Sequence, residues 1–241
     1  MNDLNNKGLK RAGWALHIFT ASGVIFAMIA LQAVFDGRIR DGLLWLLLCQ
    51  VIDGIDGPIA RRIDVEIHVL KIDGNVLDLV VDYVTCVIVP VAFLATTNLL
   101  PNNFEAVLIT LILMTSALWF ARCDQETDDF WFNGFPASWN LVIPSFILLN
   151  TSQTQVLIFT IGFALLSLTN FKVPHLTKVK HLRSVTLPLA IIYLFSLTYL
   201  SWNYGENLSS QPQMLAQAVL IAFPIYLLVI STIRTLNERK K

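Results

Sequence analysis

Residues 53–82 read DGIDGPIARRIDVEIHVLKIDGNVLDLVVD, and they join the end of one long apolar run to the beginning of the next. The four aspartates that matter here form two pairs, Asp53 with Asp56 and Asp78 with Asp82. Because a helix turns by about 100° per residue, partners three or four positions apart lie on one face. Two helices joined by a short connection are neighbours, so we expect the two acidic pairs to converge.

The apolar runs on both sides of this stretch indicate an integral membrane protein. The 241 residues are 55% hydrophobic and 14% charged, with a mean hydropathy of +0.63, whereas soluble domains carry about 25% charged residues. A span needs about 20 mostly apolar residues, and we predict an all-α bundle of about eight transmembrane helices. The predicted spans are about 14–35, 42–61, 73–97, 104–122, 135–150, 155–170, 184–202 and 213–233.

Basic residues predict the orientation of these spans. With a cytoplasmic N-terminus, fifteen of the seventeen Lys and Arg residues lie on the cytoplasmic side, and Arg38 and Arg40 lie opposite. No Lys or Arg occurs in three of the far-side connections, namely 97–103, 150–155 and 203–212. This asymmetry follows the positive-inside rule. We therefore expect both termini to be cytoplasmic, with residues 53–82 at the cytoplasmic surface.

Four converging carboxylates predict a metal site. At close range they repel one another and take up protons unless a cation neutralises them. Oxygen-only ligands favour Mg²⁺ or Mn²⁺, since no His or Cys falls among them. A two-metal site suits in-line phosphoryl displacement, because it stabilises both the attacking and the leaving oxygen. We expect two Mn²⁺ or Mg²⁺ ions to be held by Asp53, Asp56, Asp78 and Asp82.

The residues between the aspartates suit a phosphorylated ligand. Gly57, Ala60 and Gly74 have little or no side chain, which lets a bulky group approach the backbone. Arg61, beside the first acidic pair, can bind a phosphate oxygen. For Gly57 and Ala60 taken alone, close helix packing is an equally good explanation.

These positions together resemble the signature of the CDP-alcohol phosphotransferases. In this chain the signature reads Asp53-x-x-Asp56-Gly57-x-x-Ala60-Arg61, then Gly74-x-x-x-Asp78-x-x-x-Asp82. The resemblance implies that the first three aspartates bind two divalent metals, and that Asp82 binds metal and also acts as the base. It further implies that the Gly, Ala and Arg positions line the pocket for the CDP moiety, within a single membrane domain spanning residues 1–241.

The spacing departs from the usual form of the family. Twelve residues, 62–73, separate Arg61 from Gly74, which is longer than usual. This longer form resembles bacterial members that use choline, as does His17-x-x-Thr20 in the first span, where the family has a polar residue facing the nucleotide. Thr20 is therefore a further candidate for CDP binding, although a lone Thr in a helix also bonds back to its own backbone.

The resemblance implies a phospholipid-synthesising enzyme of the bacterial inner membrane. The expected reaction transfers the phosphatidyl group of CDP-diacylglycerol to choline, giving phosphatidylcholine and CMP. The expected partners are these two substrates and membrane lipid, and the family also suggests a homodimer. A net charge of zero gives no general basic surface for nucleic acid.

Choline is a quaternary ammonium without a donor on nitrogen, so aromatic faces and carboxylates are its physical means of recognition. Residues 124–139, DQETDDFWFNGFPASW, supply both near the cytoplasmic ends of the fourth and fifth spans. We expect choline to bind at one or more of five aromatic residues: Tyr83, Phe130, Trp131, Phe132 and Trp139. For each ring alone, an interfacial aromatic belt is the alternative.

Two other functions fit parts of the pattern. A family member that uses inositol phosphate, glycerol phosphate or serine shares the signature. Anionic acceptors call for a basic pocket, however, and region 123–134 is acidic and aromatic. A divalent-cation transporter is the second alternative, with the aspartates as its ion site. Transporters often show paired, symmetric broken helices, and the motif occurs once in this chain.

Overall fold

The computed structural model describes residues 3–101, 103–206 and 211–238. Within these ranges the elements in chain order are α1 (Asp3–Phe35), α2 (Ile39–Ile63), α3 (Val65–His68), α4 (Gly74–Thr96), α5 (Glu105–Phe120), β1 (Trp131–Asn133), α6 (Trp139–Leu148), α7 (Gln153–Ser167), β2 (Lys172–Pro174), α8 (Arg183–Trp202) and α9 (Gln211–Glu238). Five of these described helices, α1, α2, α4, α8 and α9, are long and apolar enough to cross a membrane. The chain is therefore a multi-pass membrane protein, as its hydropathy predicts.

The predicted spans correspond one to one to the helices other than α3, so the helical bundle is confirmed. The exact number of crossings and the side on which the termini lie stay predictions. Three helices, α5, α6 and α7, are shorter than a typical span. Helix α6 begins four residues later than predicted, because Gly134 and Ala137 have positive φ angles of 84° and 50° and keep this segment irregular.

The structure contains a small antiparallel sheet, which the all-α prediction did not include. Strand β1 pairs with β2 in antiparallel register, with Trp131 opposite Pro174 and Asn133 opposite Lys172. Each strand has three residues, which is too short for an alternating pattern, and the partners are far apart in sequence. The pairing joins the α5–α6 connection (residues 121–138) to the α7–α8 connection (residues 168–182). We call these two connections together the sheet region.

Long-range contacts fix the sheet region on the helices. The Trp119 indole donates to the Asn133 carbonyl at 2.8 Å. The Lys172 amide donates to Thr235 Oγ1 of α9 at 2.9 Å. Gly134 donates its amide to the Phe171 carbonyl at 2.7 Å. Since α5, α9 and both connections take part, the region is held from several sides.

The connection between α2 and α4 explains the long spacing of the signature. Helix α2 continues to Ile63, and α3 then occupies four of the intervening residues. Val65 of α3 and Val69, the residue after this helix, are buried together with Leu16 of α1. Asp73 caps α4, its side chain accepting from the backbone amides of residues 75 and 76. The additional residues therefore form a packed turn, and the helix that carries Asp78 and Asp82 starts at a defined place.

Helices α1, α2 and α4 pack closely against one another at two crossings, one near the signature and one at the opposite end of α2. A methyl group added at Gly23 of α1 would lie 3.0 Å from Val81 Cγ1 of α4. One added at Gly42 of α2 would lie 2.7 Å from Val34 Cγ2. Small residues at such crossings let helices approach in a membrane, where packing rather than the hydrophobic effect drives association.

Candidate active site

Three of the four signature aspartates come together between α2 and α4. One carboxylate oxygen from each of Asp53, Asp78 and Asp82 lies within 4.8 Å of the others. Asp53 and Asp82 are also close enough to share a hydrogen bond. Two ionised carboxylates cannot remain in that arrangement without a proton or a cation between them. Three hard oxygen donors within reach of one point fit a divalent cation such as Mg²⁺ or Mn²⁺.

Asp56 has different surroundings from the other three. It is buried, and its Oδ2 accepts a hydrogen bond from Thr20 Oγ1 of α1 at 2.7 Å. It is near enough to Asp53 and Asp78 for electrostatic repulsion between the carboxylates. Among the described residues, however, the group of converging carboxylate oxygens contains only Asp53, Asp78 and Asp82. Its role as a metal ligand stays a prediction. The structure gives Thr20 a definite first role, the positioning of Asp56, and its contact with CDP stays a prediction as well.

The small residues of the signature make room for side chains of this protein. A methyl group at Gly57 would lie 3.4 Å from Arg61 Nη1, so the Arg61 side chain folds back over the glycine. One at Gly74 would lie 3.3 Å from the His17 ring. Ala60 is half-buried on the same turn as Arg61. These positions lie at the end of α2 and the start of α4, where a CDP pocket is expected from the resemblance.

His17 is a further candidate site residue, which the sequence pattern named beside Thr20 without giving it a role of its own. Its ring is buried against Gly74, and its Nε2 has no hydrogen-bond partner among the described residues. Thr20, one turn further along α1, contacts the signature through Asp56. The sequence feature that could have identified this residue is a histidine within an apolar span, because ionisable residues in such spans are rare and usually functional.

A polar network lies behind Asp82. Helix α4 contains a π-helical turn over Tyr83–Ile88, immediately after this aspartate, and such turns are frequent at functional sites. Within the turn, Cys86 Sγ lies 3.9 Å from Asp82 Oδ1 and accepts from Asn140 Nδ2 at 3.1 Å. Gln50 Nε2 donates to the Asn140 carbonyl at 2.8 Å. Residues from α2, α4 and α6 thus form a connected network that reaches Asp82 through Cys86, and only the tertiary structure brings them together.

The five aromatic candidates for choline all have partners within the protein. Trp139 is fully buried, and its Nε1 donates to Ser116 at 2.9 Å. The Tyr83 hydroxyl donates to the Leu113 carbonyl at 3.1 Å. Trp139 therefore offers no free face to a soluble cation, and Tyr83 has its polar end occupied.

The other three candidates lie in the sheet region. The Phe132 ring stacks on His175 with centroids 5.2 Å apart. The Trp131 ring is 2% exposed and lies beneath the Arg234 guanidinium, 5.7 Å from its carbon. Phe130, at 38%, is the most accessible of the three, and the Lys178 ammonium lies 5.8 Å from its ring centroid.

The acidic character of residues 123–134 is largely neutralised by pairing. Asp124 binds Arg122 at 2.8 Å, Glu126 binds Lys178 at 3.1 Å and Asp129 binds Arg234 at 2.9 Å. The Arg122 hydrogen bond lowers the pKa of Asp124 below its usual value. The sequence showed an acidic segment, whereas the fold supplies a base to three of its acids.

The sheet region reaches the signature. Lys178 is close enough to Asp78 to stabilise its negative charge. Burial, together with the nearby charges of Lys178 and Arg61, lowers the pKa of His175 to about 4. His175 is therefore neutral near pH 7, and it is the part of the sheet region on which Arg61, near the end of α2, exerts an electrostatic effect.

Several curated proteins are similar to this chain, among them phosphatidylcholine synthases from three bacteria. The one from Pseudomonas aeruginosa is 36% identical over 187 residues, covering 78% of this chain and 79% of the relative. The one from Borreliella burgdorferi is 32% identical over 228 residues, covering 95% and 96%. The one from Rhizobium johnstonii is 33% identical over 183 residues, covering 76% and 75%.

No family model matches the chain. The similarity to the synthases nevertheless extends over most of both sequences, and the resemblance of residues 53–82 to the CDP-alcohol phosphotransferases points the same way. With identities above 30% over more than two thirds of the chain, the chain belongs to the phosphatidylcholine synthase family.

Proposed function

We propose that the chain transfers the phosphatidyl group of CDP-diacylglycerol to choline, forming phosphatidylcholine and releasing CMP. The observation that carries the proposal is the convergence of Asp53, Asp78 and Asp82 in a chain whose relatives are phosphatidylcholine synthases. Family membership makes the chain an enzyme of phospholipid biosynthesis. It also favours a transferase over a cation transporter, and choline over the other alcohols.

In the proposed reaction, the choline oxygen forms a bond to the phosphatidyl phosphorus, and the bond from that phosphorus to the CMP oxygen breaks. Asp82 accepts the proton of the choline hydroxyl. Asp53, Asp78 and Asp82 would hold a divalent cation, with Asp56 as a further ligand in a two-ion site. When bound, such cations neutralise charge on the phosphate oxygens and on the leaving group.

The remaining signature residues bind and orient the donor in this proposal. Arg61 is exposed, and its guanidinium can bind phosphate oxygens in a bidentate manner. Gly57, Ala60 and Gly74 present little or no side chain to the CDP moiety in this proposal, and Thr20 is the further candidate on α1. Because the chain mainly positions two substrates, much of the rate acceleration comes from proximity and charge neutralisation.

We further propose that the site opens to the cytoplasmic side of the bacterial inner membrane, with both termini on that side. The asymmetry of Lys and Arg supports this orientation, and a site at a helix end suits one soluble and one lipid substrate. Residues 1–241 act as a single domain in this proposal, and a homodimer is expected from the family resemblance.

An assay of the purified protein tests the proposal. CDP-diacylglycerol in detergent micelles is combined with choline, serine, inositol phosphate or glycerol phosphate, and the released CMP and the lipid product are measured. We expect phosphatidylcholine to form when choline is the alcohol, and no lipid product with the other three alcohols. Chelation should abolish CMP release, and added Mn²⁺ or Mg²⁺ should restore it. Product formation with a different alcohol, or full activity after thorough chelation, would contradict the corresponding part of the proposal.

A further inference from the structure

Lys178 occupies a place that has the two features needed to recognise an organic cation. Its Nζ lies 3.1 Å and 3.3 Å from the two carboxylate oxygens of Glu126. The same nitrogen lies 5.8 Å from the centroid of the Phe130 ring. A carboxylate beside an aromatic face attracts any cation, including one that has no hydrogen to donate.

The backbone of the sheet region fixes the positions of Glu126 and Phe130, which are the two walls of this place. Glu126 forms a β-bridge with Phe132, and the Phe130 carbonyl accepts from the His175 amide at 3.1 Å. The side chains of Glu126 and Lys178 are half-buried, and Phe130 is exposed. The walls are therefore positioned by the fold, and a small molecule can reach them from solvent.

This place is also near the proposed catalytic carboxylates. The Lys178 ammonium acts on the charge of Asp78, one helical turn from Asp82. Arg61, the candidate for phosphate binding, is close enough to His175 to disfavour the protonated form of this histidine. A cation bound by Glu126 and Phe130 would therefore lie at the side of the site from which the sheet region approaches.

A second group of similar composition in the same region provides a comparison. Arg234 lies over the Trp131 ring and binds Asp129, but it also binds Glu238 on its own helix at 2.9 Å. Trp131 is almost completely buried. Two carboxylates and a buried ring hold this arginine in place, so the second group stabilises the fold and leaves no accessible ring face.

We propose that Glu126 and Phe130 bind the trimethylammonium group of the acceptor, and that Lys178 fills this site until the acceptor displaces it. The inference rests on the proposed function, since it assumes choline as the acceptor. A lysine suits such a role because its ammonium is strongly hydrated and its four-carbon stem is flexible. The trimethylammonium group is weakly hydrated, and it gains more than lysine does from an aromatic face and a carboxylate.

The first test measures the KM values for both substrates in variants of the two walls. Glu126→Gln and Phe130→Ala should each raise the choline KM at least tenfold, in keeping with a cation–π or charge contact on a partly desolvated cation. The KM for CDP-diacylglycerol should change by less than about twofold, and Phe130→Trp should retain a nearly normal choline KM because its ring binds cations well. If Phe130→Ala does not fold, Phe130→Leu removes the ring while keeping an apolar side chain.

The second test concerns the displaced lysine. Lys178→Met should lower the choline KM several-fold, because the acceptor no longer competes with an internal cation. If Lys178 instead binds a phosphate of the donor, this variant raises the KM for CDP-diacylglycerol and leaves the choline KM unchanged, and that result overturns the proposal.

Asp129→Asn is the matched control, because it removes the carboxylate that pairs with Arg234 beside the buried Trp131 ring. It should leave the choline KM unchanged. Normal choline KM values in Glu126→Gln and Phe130→Ala would overturn the inference while the wild-type enzyme still made phosphatidylcholine. Absence of any choline-dependent CMP release by the wild type would instead contradict the proposed function.

Discussion

Asp56 and Asp82 occupy equivalent places in the two acidic pairs, yet their surroundings differ. Asp56 is buried and receives the Thr20 hydroxyl, whereas Asp82 lies among the converging carboxylates with Cys86 behind it. A carboxylate held by a fixed donor is suited to a positioning role. One that lies among the converging carboxylates, beside the proposed cation and acceptor, is suited to accept a proton.

Asp82→Asn tests the proposed base. The change keeps the shape of the side chain but removes its ability to take the choline proton, and general-base help is typically about 10²–10⁴-fold. We expect a loss of CMP release of at least that size, with normal folding judged by thermal unfolding in detergent. Asp64→Asn, at an exposed position on the neighbouring turn, should remain active. Near-normal turnover by a folded Asp82→Asn protein would remove this residue from the base role.

Thr20→Val tests the positioning of Asp56. Valine has nearly the same volume as threonine but has no hydroxyl, so a buried carboxylate loses its donor. We expect the free energy of unfolding to fall by about 1–3 kcal/mol and the KM for CDP-diacylglycerol to rise. Thr110→Val is the control, because the Thr110 hydroxyl is exposed and bonds only within its own helix. Equal behaviour of the two variants would show that the contact between α1 and α2 has little importance.

At the scale of elements, the sheet region depends on a tight junction at Gly134. Its φ is +84°, and a methyl group there would lie 2.5 Å from the Ser167 carbonyl oxygen and 2.8 Å from that of Leu166. A non-glycine residue would be strained both by its own backbone and by the end of α7. This junction keeps the α5–α6 connection against the α7–α8 connection, and so keeps Phe130 near Lys178.

Gly134→Ala should therefore loosen the sheet region. Backbone strain of this kind costs about 1–3 kcal/mol, and displacement of the carbonyl oxygens adds to that. We expect a lower thermal stability and a higher choline KM. Gly162→Ala is the control, since it lies in α7 with open space around it, and replacing a helical glycine by alanine is usually neutral or stabilising. A Gly134→Ala protein as stable as wild type would contradict the importance of this junction.

At the scale of the whole molecule, the short helices α6 and α7 form a hairpin. Its open end lies at the sheet region, because β1 precedes α6 and β2 follows α7. Near its tip, Gln153 Nε2 donates to the Asn98 carbonyl in the α4–α5 connection at 2.9 Å. The hairpin thus extends from the signature side to the opposite side, which supports the predicted eight crossings although each helix is short.

Cysteine labelling tests this topology. In a Cys123→Ser background, Thr154→Cys near the hairpin tip should react with a membrane-impermeant maleimide added to intact cells with permeable outer membranes. Lys180→Cys in the sheet region should react only after the inner membrane is opened. Both positions are exposed on the protein surface, so accessibility reports the side of the membrane. The reverse pattern would contradict cytoplasmic termini, and labelling at both positions would contradict the hairpin crossing.

The sequence alone determined the features that depend on residue type and local spacing. Apolar runs identified the helices, since a segment in lipid must satisfy its own backbone groups. The spacing of Asp53, Asp78 and Asp82 placed carboxylates on facing sides of neighbouring helices, because helical periodicity is a local property. The resemblance of residues 53–82 to a known signature led to the family that the curated relatives confirm.

Only the tertiary structure decided which groups meet across large distances in the chain. It placed Asp56 against Thr20 and outside the group of three converging carboxylate oxygens, and it paired Glu126 with Lys178. It also buried Trp139 while leaving Phe130 accessible. No local pattern contains this information, because each contact joins segments whose relative position is fixed by the packing of the entire bundle.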